Sequence, residues 1–422
     1  MVTCKLVFLI LHRCSYFCYR SDIGRLFSMK ILWMHSHFFH WMGGTVFIFE
    51  LLKKLRKRCC VEIVVQNGNH DVLKKFSNAG FIVHNLKSPS TDMASFWFRF
   101  FRNCNSDAAQ IQKIIDINGF NVVISSMFPT NFIASKLKNV DIYQYCYEPY
   151  ATFWDPVHIN NFTLIKRYGA LILKHLFARY DVDAVRKALK VFTLSMETKQ
   201  SIASIYKVEA CVTYLGVDLE FYRYVEDESI FKKYKSNHIL LHNTDFSPPK
   251  GTEFLLDCMP AIISKIPSTK LLITCSHNNS KKIERLVRNI ERRGIASHVN
   301  VLGWVEYELL PIYYSLADLV VYSGTSDGGG ASAVSLFVLE AMACGTPCLR
   351  SNDSKTEVLD GVNGELFNPL NQNEFIEKCT SLLTNQDLLT SYSSRCRSHV
   401  EHTYSWDNAA GLVFDNIENI KT

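Results

Sequence analysis

Asp318 to Arg350 reads DLVVYSGTSDGGGASAVSLFVLEAMACGTPCLR. Leu319 to Tyr322 is a short apolar, β-branched run, the pattern of a buried strand. It passes into a loop so rich in Gly, Ser and Asp that its backbone must lie exposed. Ser335 to Met342 turns helical, Gly345, Thr346 and Pro347 stop the helix, and Cys348 to Arg350 opens the next extended segment. Strand, loop, helix, strand is the repeat of an open parallel sheet. In such a sheet this loop sits at the carboxyl end of a strand and the amino end of a helix, where ligands bind.

The residues of the loop suit an anion beside a sugar. Gly328, Gly329 and Gly330 permit backbone conformations that turn several N–H groups toward one point, and the following helix adds its positive dipole end. Glu340 lies more than one turn into that helix, where a carboxylate can accept from the two hydroxyls of a ribose without competing for the phosphate. The competing interpretation is a flexible glycine loop before a core helix, with Glu340 merely solvated.

LEAMACGTP, residues 339 to 347, closely resembles the signature of the family-4 glycosyltransferases, the GT-B glycosyl transferases of group 1. That motif places two glutamates eight positions apart at the donor site. Glu340 matches the second, and Ser332 stands where the first contacts the donor sugar. Ser332 keeps a hydroxyl for hydrogen bonding, and Asp327 is a carboxylate that a rebuilt loop could supply. TDFSPPKG, residues 244 to 251, sets Lys250 between a strand and an amphipathic helix beginning at Thr252, so that an ammonium group at the mouth of the sheet balances a diphosphate. The plain alternative is a solvated turn lysine. Relatives commonly carry an arginine five residues ahead of that lysine; this chain has Asp245. Gly303 and Trp304 resemble the family's loop beside the nucleotide base. Glu357 matches a position that helps hold the loop near the sugar, and on its own it reads as a helix-start carboxylate.

At 422 residues the chain suits two domains. Its 48% hydrophobic and 20% charged residues are those of a globular protein, and no repeat is visible. Fourteen cysteines without paired CxxC clusters argue against a zinc module or a disulfide scaffold and suit a reducing cytosol. Cys344 and Cys348 read as small buried residues. The net charge of +6 is modest. Two local stretches stand out: Lys53, Lys54, Arg56, Lys57 and Arg58 at one helix end, and the aromatic and arginine run from Phe96 to Arg102. Together they suggest a peripheral contact with anionic lipid. The alternative is an ordinary helix-end charge pattern beside a core segment. No nucleic-acid-binding motif accompanies them.

Residues 1–28 stand apart from the pattern and are expected to form a disordered or loosely helical extension. From Met29 strands alternate with helices, the form of a doubly wound parallel sheet. Strands are expected at Ile31–His35, Val61–Val65, Phe81–Val83, Val122–Ser125, Ile142–Cys146, Val191–Leu194 and Cys211–Tyr214. A second set is expected at Leu240–Thr244, Leu271–Thr274, Val299–Leu302, Leu319–Tyr322, Pro347–Leu349 and Glu365–Phe367. Gly43 and Gly44 precede a helix from Thr45 to about Lys57 and resemble the family's first glycine loop. The dinucleotide fingerprint GxGxxG is absent, which disfavours nicotinamide and flavin enzymes. IYQYCYEP, residues 142 to 149, has Tyr147 where many relatives have histidine, and Glu148 as the one carboxylate able to orient an acceptor hydroxyl. VFTLSMETKQSIASIYKVEACVTYLGVD, residues 191 to 218, resembles the family's passage into the linker, with Ser195 capping a helix.

The resemblance, from Met29 to the end, implies a GT-B fold: two Rossmann-like domains facing a cleft. They are an acceptor domain over 29–225 and a nucleotide-sugar domain over 226–403, with a helix over 404–422 that crosses back to the first. It implies a metal-independent, retaining transfer from a nucleotide diphosphate sugar, a substrate rather than a cofactor, to a hydroxyl of a glycan or lipid-linked acceptor. Lys250, Glu148 and Ser332 are the catalytic candidates. Gly43, Gly44, Gly303, Trp304, Gly328, Gly329, Gly330 and Glu340 join Lys250 and Ser332 at the donor. The implied location is cytoplasmic, on or near the inner face of a membrane, with acceptor specificity in first-domain loops such as Ser88 to Asn105. The departures at Ser332 and Asp245 warrant a second reading, a donor-binding or scaffold protein with impaired catalysis. A nucleotide-sugar epimerase or phosphorylase on the same frame ranks third.

Overall fold

A computed structural model of the chain describes residues 29–41, 43–91, 93–160, 162–276, 278–324, 334–352 and 357–421. The expectation for residues 1–28 lies outside them. The first sheet contains β1 (Lys30–Phe38), β2 (Cys60–Gly68), β3 (Val83–Asn85), β4 (Val122–Ser125), β5 (Asp141–Tyr145), β6 (Val191–Thr193) and β7 (Ala210–Val212). Their spatial order is β3-β2-β1-β4-β5-β6-β7, with every pair parallel. The second sheet contains β8 (His238–Thr244), β9 (Thr269–Cys275), β10 (Val299–Gly303), β11 (Leu319–Tyr322), β12 (Cys348–Ser351) and β13 (Gly364–Phe367). It is ordered β10-β9-β8-β11-β12-β13 and is also parallel throughout.

Parallel strands need helical crossovers, which cover both faces of a sheet and favour near-continuous apolar runs. β1 obeys this: Ile31, Leu32, Trp33 and Met34 are all buried although they alternate in direction. Each expected strand overlaps an observed one, and two of the offsets have clear physical causes. Phe81 is not in β3. Gly80 takes φ +84°, the chain folds back so that the Phe81 amide donates to the Phe76 carbonyl at 3.0 Å, and the ring packs on Phe49 and Phe76. β12 starts one residue after Pro347, which has no N–H for the ladder but accepts from Val320 through its carbonyl. It then runs on to the fully buried Ser351.

The last helix, Trp406–Lys421, packs on the first-domain helix Gly43–Leu55. Ser405 bridges Val217, Lys54 pairs with Asp407 at 2.6 Å, and Arg58 pairs with Asp415 at 3.2 Å. Gly216 permits this return, because a Cβ there would lie 2.4 Å from the Trp406 amide nitrogen. The basic run at the end of helix Gly43–Leu55 is therefore partly occupied within the molecule.

Candidate active site

Strand order reverses between β1 and β4 and again between β8 and β11. In doubly wound sheets the loops leaving such a pair diverge and open a crevice at the carboxyl edge. Lys250 sits in the loop after β8, on the turn Pro248–Lys250 that immediately precedes helix Thr252–Lys265. The loop after β11 touches it directly. Ser323 Oγ donates to the Gly251 carbonyl at 2.9 Å, and Gly251, at φ +70°, has no room for a Cβ, which would fall 2.0 Å from the Ser323 carbonyl oxygen.

Two devices fix the lysine loop from beneath. His242 Nδ1 lies 3.1 Å from the Val321 carbonyl, and its Nε2 lies 3.0 Å from Thr252 Oγ1. Burial pushes the imidazole pKa down to about 4, so it stays neutral and donates to the carbonyl through Nδ1–H. Asp245 makes the turn itself, accepting from the Ser247 amide at 2.8 Å and from the Ser247 hydroxyl. Burial alone would raise the Asp245 pKa, but those hydrogen bonds and the Lys250 ammonium outweigh it and hold the carboxyl below its ordinary value. In place of the second cation that the resemblance implies, this chain has an anion that shapes the turn and sits within the field of the lysine. Lys250 Nζ is 5.9 Å from the centroid of the Tyr322 ring.

Glu340, on helix Leu336–Ala343, is neither fully solvated nor sealed in the core. It borders a cleft of about 220 Å³ whose lining also includes Asn243, Thr274, Ser276, Trp304 and Tyr314. Tyr314 donates to Glu340 at 2.7 Å, and Tyr222 supplies a second hydrogen bond. Burial pushes the carboxyl pKa up to about 7 despite both bonds. A carboxylate has about four acceptor sites, so two remain for a ligand. Trp304 is half exposed at the cleft, next to Gly303 at φ +72°. Arg397 steadies the assembly by donating to the carbonyls of Leu219 (3.1 Å) and Tyr222 (2.6 Å) in the linker and of Ala343 (2.8 Å) at the end of the glutamate's helix.

Glu357 is no solvated helix-start carboxylate. It is fully buried, ion-paired with the buried Arg350, and accepts from the Ser335 amide at 2.9 Å, which ties β12 to the first turn of helix Leu336–Ala343. The Arg350 guanidinium lies 4.6 Å from the centroid of the same Tyr322 ring that Lys250 approaches. Gly328, Gly329, Gly330, Ser332 and Asp327 lie outside the described residues.

At the first sheet's carboxyl edge, Gly43 and Gly44 are the opening turn of helix Gly43–Leu55 rather than a loop ahead of it. The same helix brings Phe47 within 5.3 Å of Tyr147, and Tyr147 lies 6.3 Å from His35 at the end of β1. His35 is buried with Nδ1 unpartnered, and burial, reinforced by His37, drops its pKa to about 3. Glu148 is exposed in the loop after β5. Partial loss of hydration and the Asp155 carboxylate raise its pKa, while His158 opposes them. The expected specificity loop Ser88 to Asn105 is in large part helical, from Ala94 onward, and Ser88 is buried, donating to Asp107 at 2.6 Å. The two domains meet here. The Tyr307 phenol, raised in pKa chiefly by burial, feels the carboxylates of Glu340 and Asp218 and also that of Glu50 on helix Gly43–Leu55.

The tyrosines around Glu340, the polar row Asn243, Thr274 and Ser276, and His35 escaped the sequence reading. The one available signal was polar residues in the carboxyl halves of otherwise apolar strands: His35 in β1, Asn243 in β8, and Thr274 in β9 with Ser276 just beyond it. Among the described residues no group of three His, Cys, Asp or Glu could hold a metal ion. A larger hollow of about 450 Å³ lies between the helix Gly43–Leu55, the linker and Trp406. Its charged lining combines residues of that helix and the turn after it with the linker residues 217–220 and the start of the last helix.

The family model Glycosyl transferases group 1 matches residues 237–385. An uncharacterized glycosyltransferase of Methanocaldococcus jannaschii is 25% identical over 369 residues, which span 85% of this chain and 90% of that protein. A GDP-mannose-dependent monoacylated alpha-(1-6)-phosphatidylinositol monomannoside mannosyltransferase of Corynebacterium glutamicum is 26% identical over 172 residues, 40% of this chain and 44% of its own length. In fold the chain is similar to a glycosyltransferase of Rickettsia africae, with a TM-score of 0.71 at 15% identity over 94% of this chain and all of that one. It is similar also to Anabaena HepE in complex with UDP, with a TM-score of 0.70 at 16% identity over 93% and 100%.

Proposed function

We infer that this glycosyltransferase, GT-B in fold and matched to group 1 over residues 237–385, moves a sugar from a nucleotide diphosphate donor to a hydroxyl of a glycan or lipid-linked acceptor, with retention at the anomeric carbon. One observation carries the reading. Lys250 and Glu340 stand at the carboxyl edge of one sheet, and the lysine loop is held against the loop that leaves β11. Breaking the anomeric bond puts negative charge on the departing diphosphate and positive charge on the sugar ring. A fixed ammonium stabilises the first, and the amides of the Gly328–Gly330 stretch are its natural complement. Glu340 then receives the ribose hydroxyls on the cleft side, with Trp304 beside the base. The sugar lies toward the first domain, with Gly43 and Gly44 beside the donor and Glu148 orienting the acceptor hydroxyl, and Ser332 supplies a hydroxyl where family members use a carboxylate.

The relatives' names order the trial substrates. GDP-mannose comes first because several curated relatives are mannosyltransferases that depend on it, and UDP-glucose second because a structural neighbour binds it. A lipid-linked glycan is the acceptor to try first. The test incubates purified protein with GDP-, UDP- and ADP-sugars, with and without such acceptors, and follows diphosphate release and product anomericity. Acceptor-dependent release with retained configuration supports the proposal. Donor binding without turnover under every condition favours the scaffold reading that Asp245 and Ser332 motivate, and inversion at the anomeric carbon removes the retaining mechanism.

A further inference from the structure

The helix Leu164–Lys187 has two apolar faces. One, with Ala170, Phe177, Ala178 and Val185, is buried against the first domain. The other meets solvent: Leu164, Ile165, Tyr168, Leu171, Ile172 and Leu176 are all exposed, Ile165 at 87% and Leu164 at 73%. At 100° per residue these six fall within roughly 140° of one side. Phe98, 91% exposed, and Phe101 extend the apolar surface from the neighbouring helices Ala94–Phe98 and Phe100–Asn118. The Phe101 ring lies 5.2 Å from Tyr180 and 6.3 Å from Phe177, so the aromatic corner adjoins the long helix.

Along the exposed N-terminal part of this helix charge has one sign, and its acids, buried Asp181 and exposed Asp183, come only beyond Tyr180. From Pro156 to Tyr180 there is no Asp or Glu, while Lys166, Arg167, Lys174 and Arg179 are all present. From Met93 to Ser106 there is again no acid, and Arg99 and Arg102 flank the exposed phenylalanines. Monomeric proteins rarely leave so many large apolar side chains together in water. A broad apolar sector bordered by cations is the form of a helix that lies in a membrane interface, where anionic headgroups complement the basic border. The basic end of helix Gly43–Leu55, which sequence alone suggests for this role, is partly occupied by Asp407 and Asp415.

Topology gives the face a purpose. β5 ends at Tyr145, two short helices follow, and Leu164 starts the long helix on its way back to β6 at Val191. Its exposed N-terminal half therefore lies toward the carboxyl edge of the first sheet, the edge that carries Tyr147 and Glu148. We propose that this face docks in the headgroup region of an anionic bilayer and so brings a lipid-linked acceptor to the first domain's carboxyl edge. The acceptor clause rests on the transferase reading above; the docking itself does not.

The test is flotation of the full-length chain with vesicles of phosphatidylcholine alone or with about one third phosphatidylglycerol. The wild-type chain is expected to float with the anionic vesicles and much less with the neutral ones. The double variant I165E/I172E is expected to bind roughly tenfold more weakly or worse, because it places two charges in the apolar sector. Both side chains lie outside the core, so its melting temperature and nucleotide-sugar affinity should match the wild type. A wild-type chain that ignores vesicles of both compositions overturns the proposal, as does a double variant that binds them equally well. A dimer seen by light scattering that I165E/I172E dissolves assigns the face to a second copy and overturns it too. Loss of nucleotide-sugar binding with vesicle binding intact would instead count against the transferase site and leave the docking standing.

Discussion

Tyr314 donates its phenolic hydroxyl to the Glu340 carboxylate across 2.7 Å, and that carboxyl titrates near 7 rather than at the ordinary 4.5. Between those two values the folded chain holds a proton that the unfolded chain has lost, so this group makes stability fall as pH rises through the window. The cost at full ionisation is about 3–4 kcal/mol. Glu340→Gln, which cannot ionise, is expected to melt higher than the wild type at pH 8, with the difference shrinking toward pH 5. Melting curves across that range check it, and a difference independent of pH would show that Glu340 is not the group responsible.

The same titration bears on ligand binding. Only the ionised carboxylate can accept from both ribose hydroxyls, so donor affinity is expected to rise with pH from 6 to 8 and to level off above. In Glu340→Gln the affinity should be weaker and flat over the same range. Titration calorimetry at three pH values distinguishes the two profiles.

Gly251→Ala tests how Lys250 is placed without touching the lysine. The new methyl group would meet the Ser323 carbonyl and would also force a residue with a side chain to φ +70°. The loop must move, so both thermal stability and donor affinity should fall, the latter approaching that of Lys250→Ala. Wild-type affinity in a folded Gly251→Ala protein would detach the lysine from the site.

Arg350 and Glu357 form a buried ion pair whose members are 1% and 0% exposed. Removing one partner strands the other, so Arg350→Met is expected to cost about 3–5 kcal/mol in urea unfolding. The double variant R350M/E357L should recover much of that loss, because burying an apolar pair avoids the desolvation of two charges. A double variant as unstable as the single one would mean that Glu357 acts mainly through the Ser335 amide.

Much of this was legible in the sequence because it was local. Period, glycine and proline punctuation located the strands from β1 to β13, and the motif order placed Lys250 and Glu340 on the same sheet edge. Long-range partnerships were not legible. Nothing near Glu340 in sequence announces Tyr222, which arrives through the linker that Arg397 holds, or Tyr314 from a separate helix. Glu357 on its own read as a helix-start carboxylate, because nothing in the local sequence pairs it with Arg350, seven positions back in the preceding strand. Likewise, the basic run Lys53 to Arg58 carries no sign that Asp407 and Asp415 return from the far end of the chain to meet it.

Acid should weaken the fold from a different quarter. His35 and His242 titrate near 3 and 4 because both are buried, whereas an unfolded histidine takes up its proton near 6.5. Below 6.5 the unfolded chain binds more protons, so stability rises with pH across this interval and is lost as pH falls. Each group contributes about 1.4 kcal/mol per pH unit. His242→Gln should reduce the slope between pH 6.5 and 4; an unchanged slope would place the acid sensitivity elsewhere.

The most direct measurement is calorimetric titration of GDP-, UDP- and ADP-sugars into the wild-type chain and into Lys250→Ala. The site described here predicts that one class binds at a single site per chain and that the variant binds it at least tenfold more weakly, as loss of a charge-assisted contact worth about 1.5–3 kcal/mol requires. Equal affinity in the variant, or no binding of any nucleotide sugar to a folded wild-type protein, would contradict it.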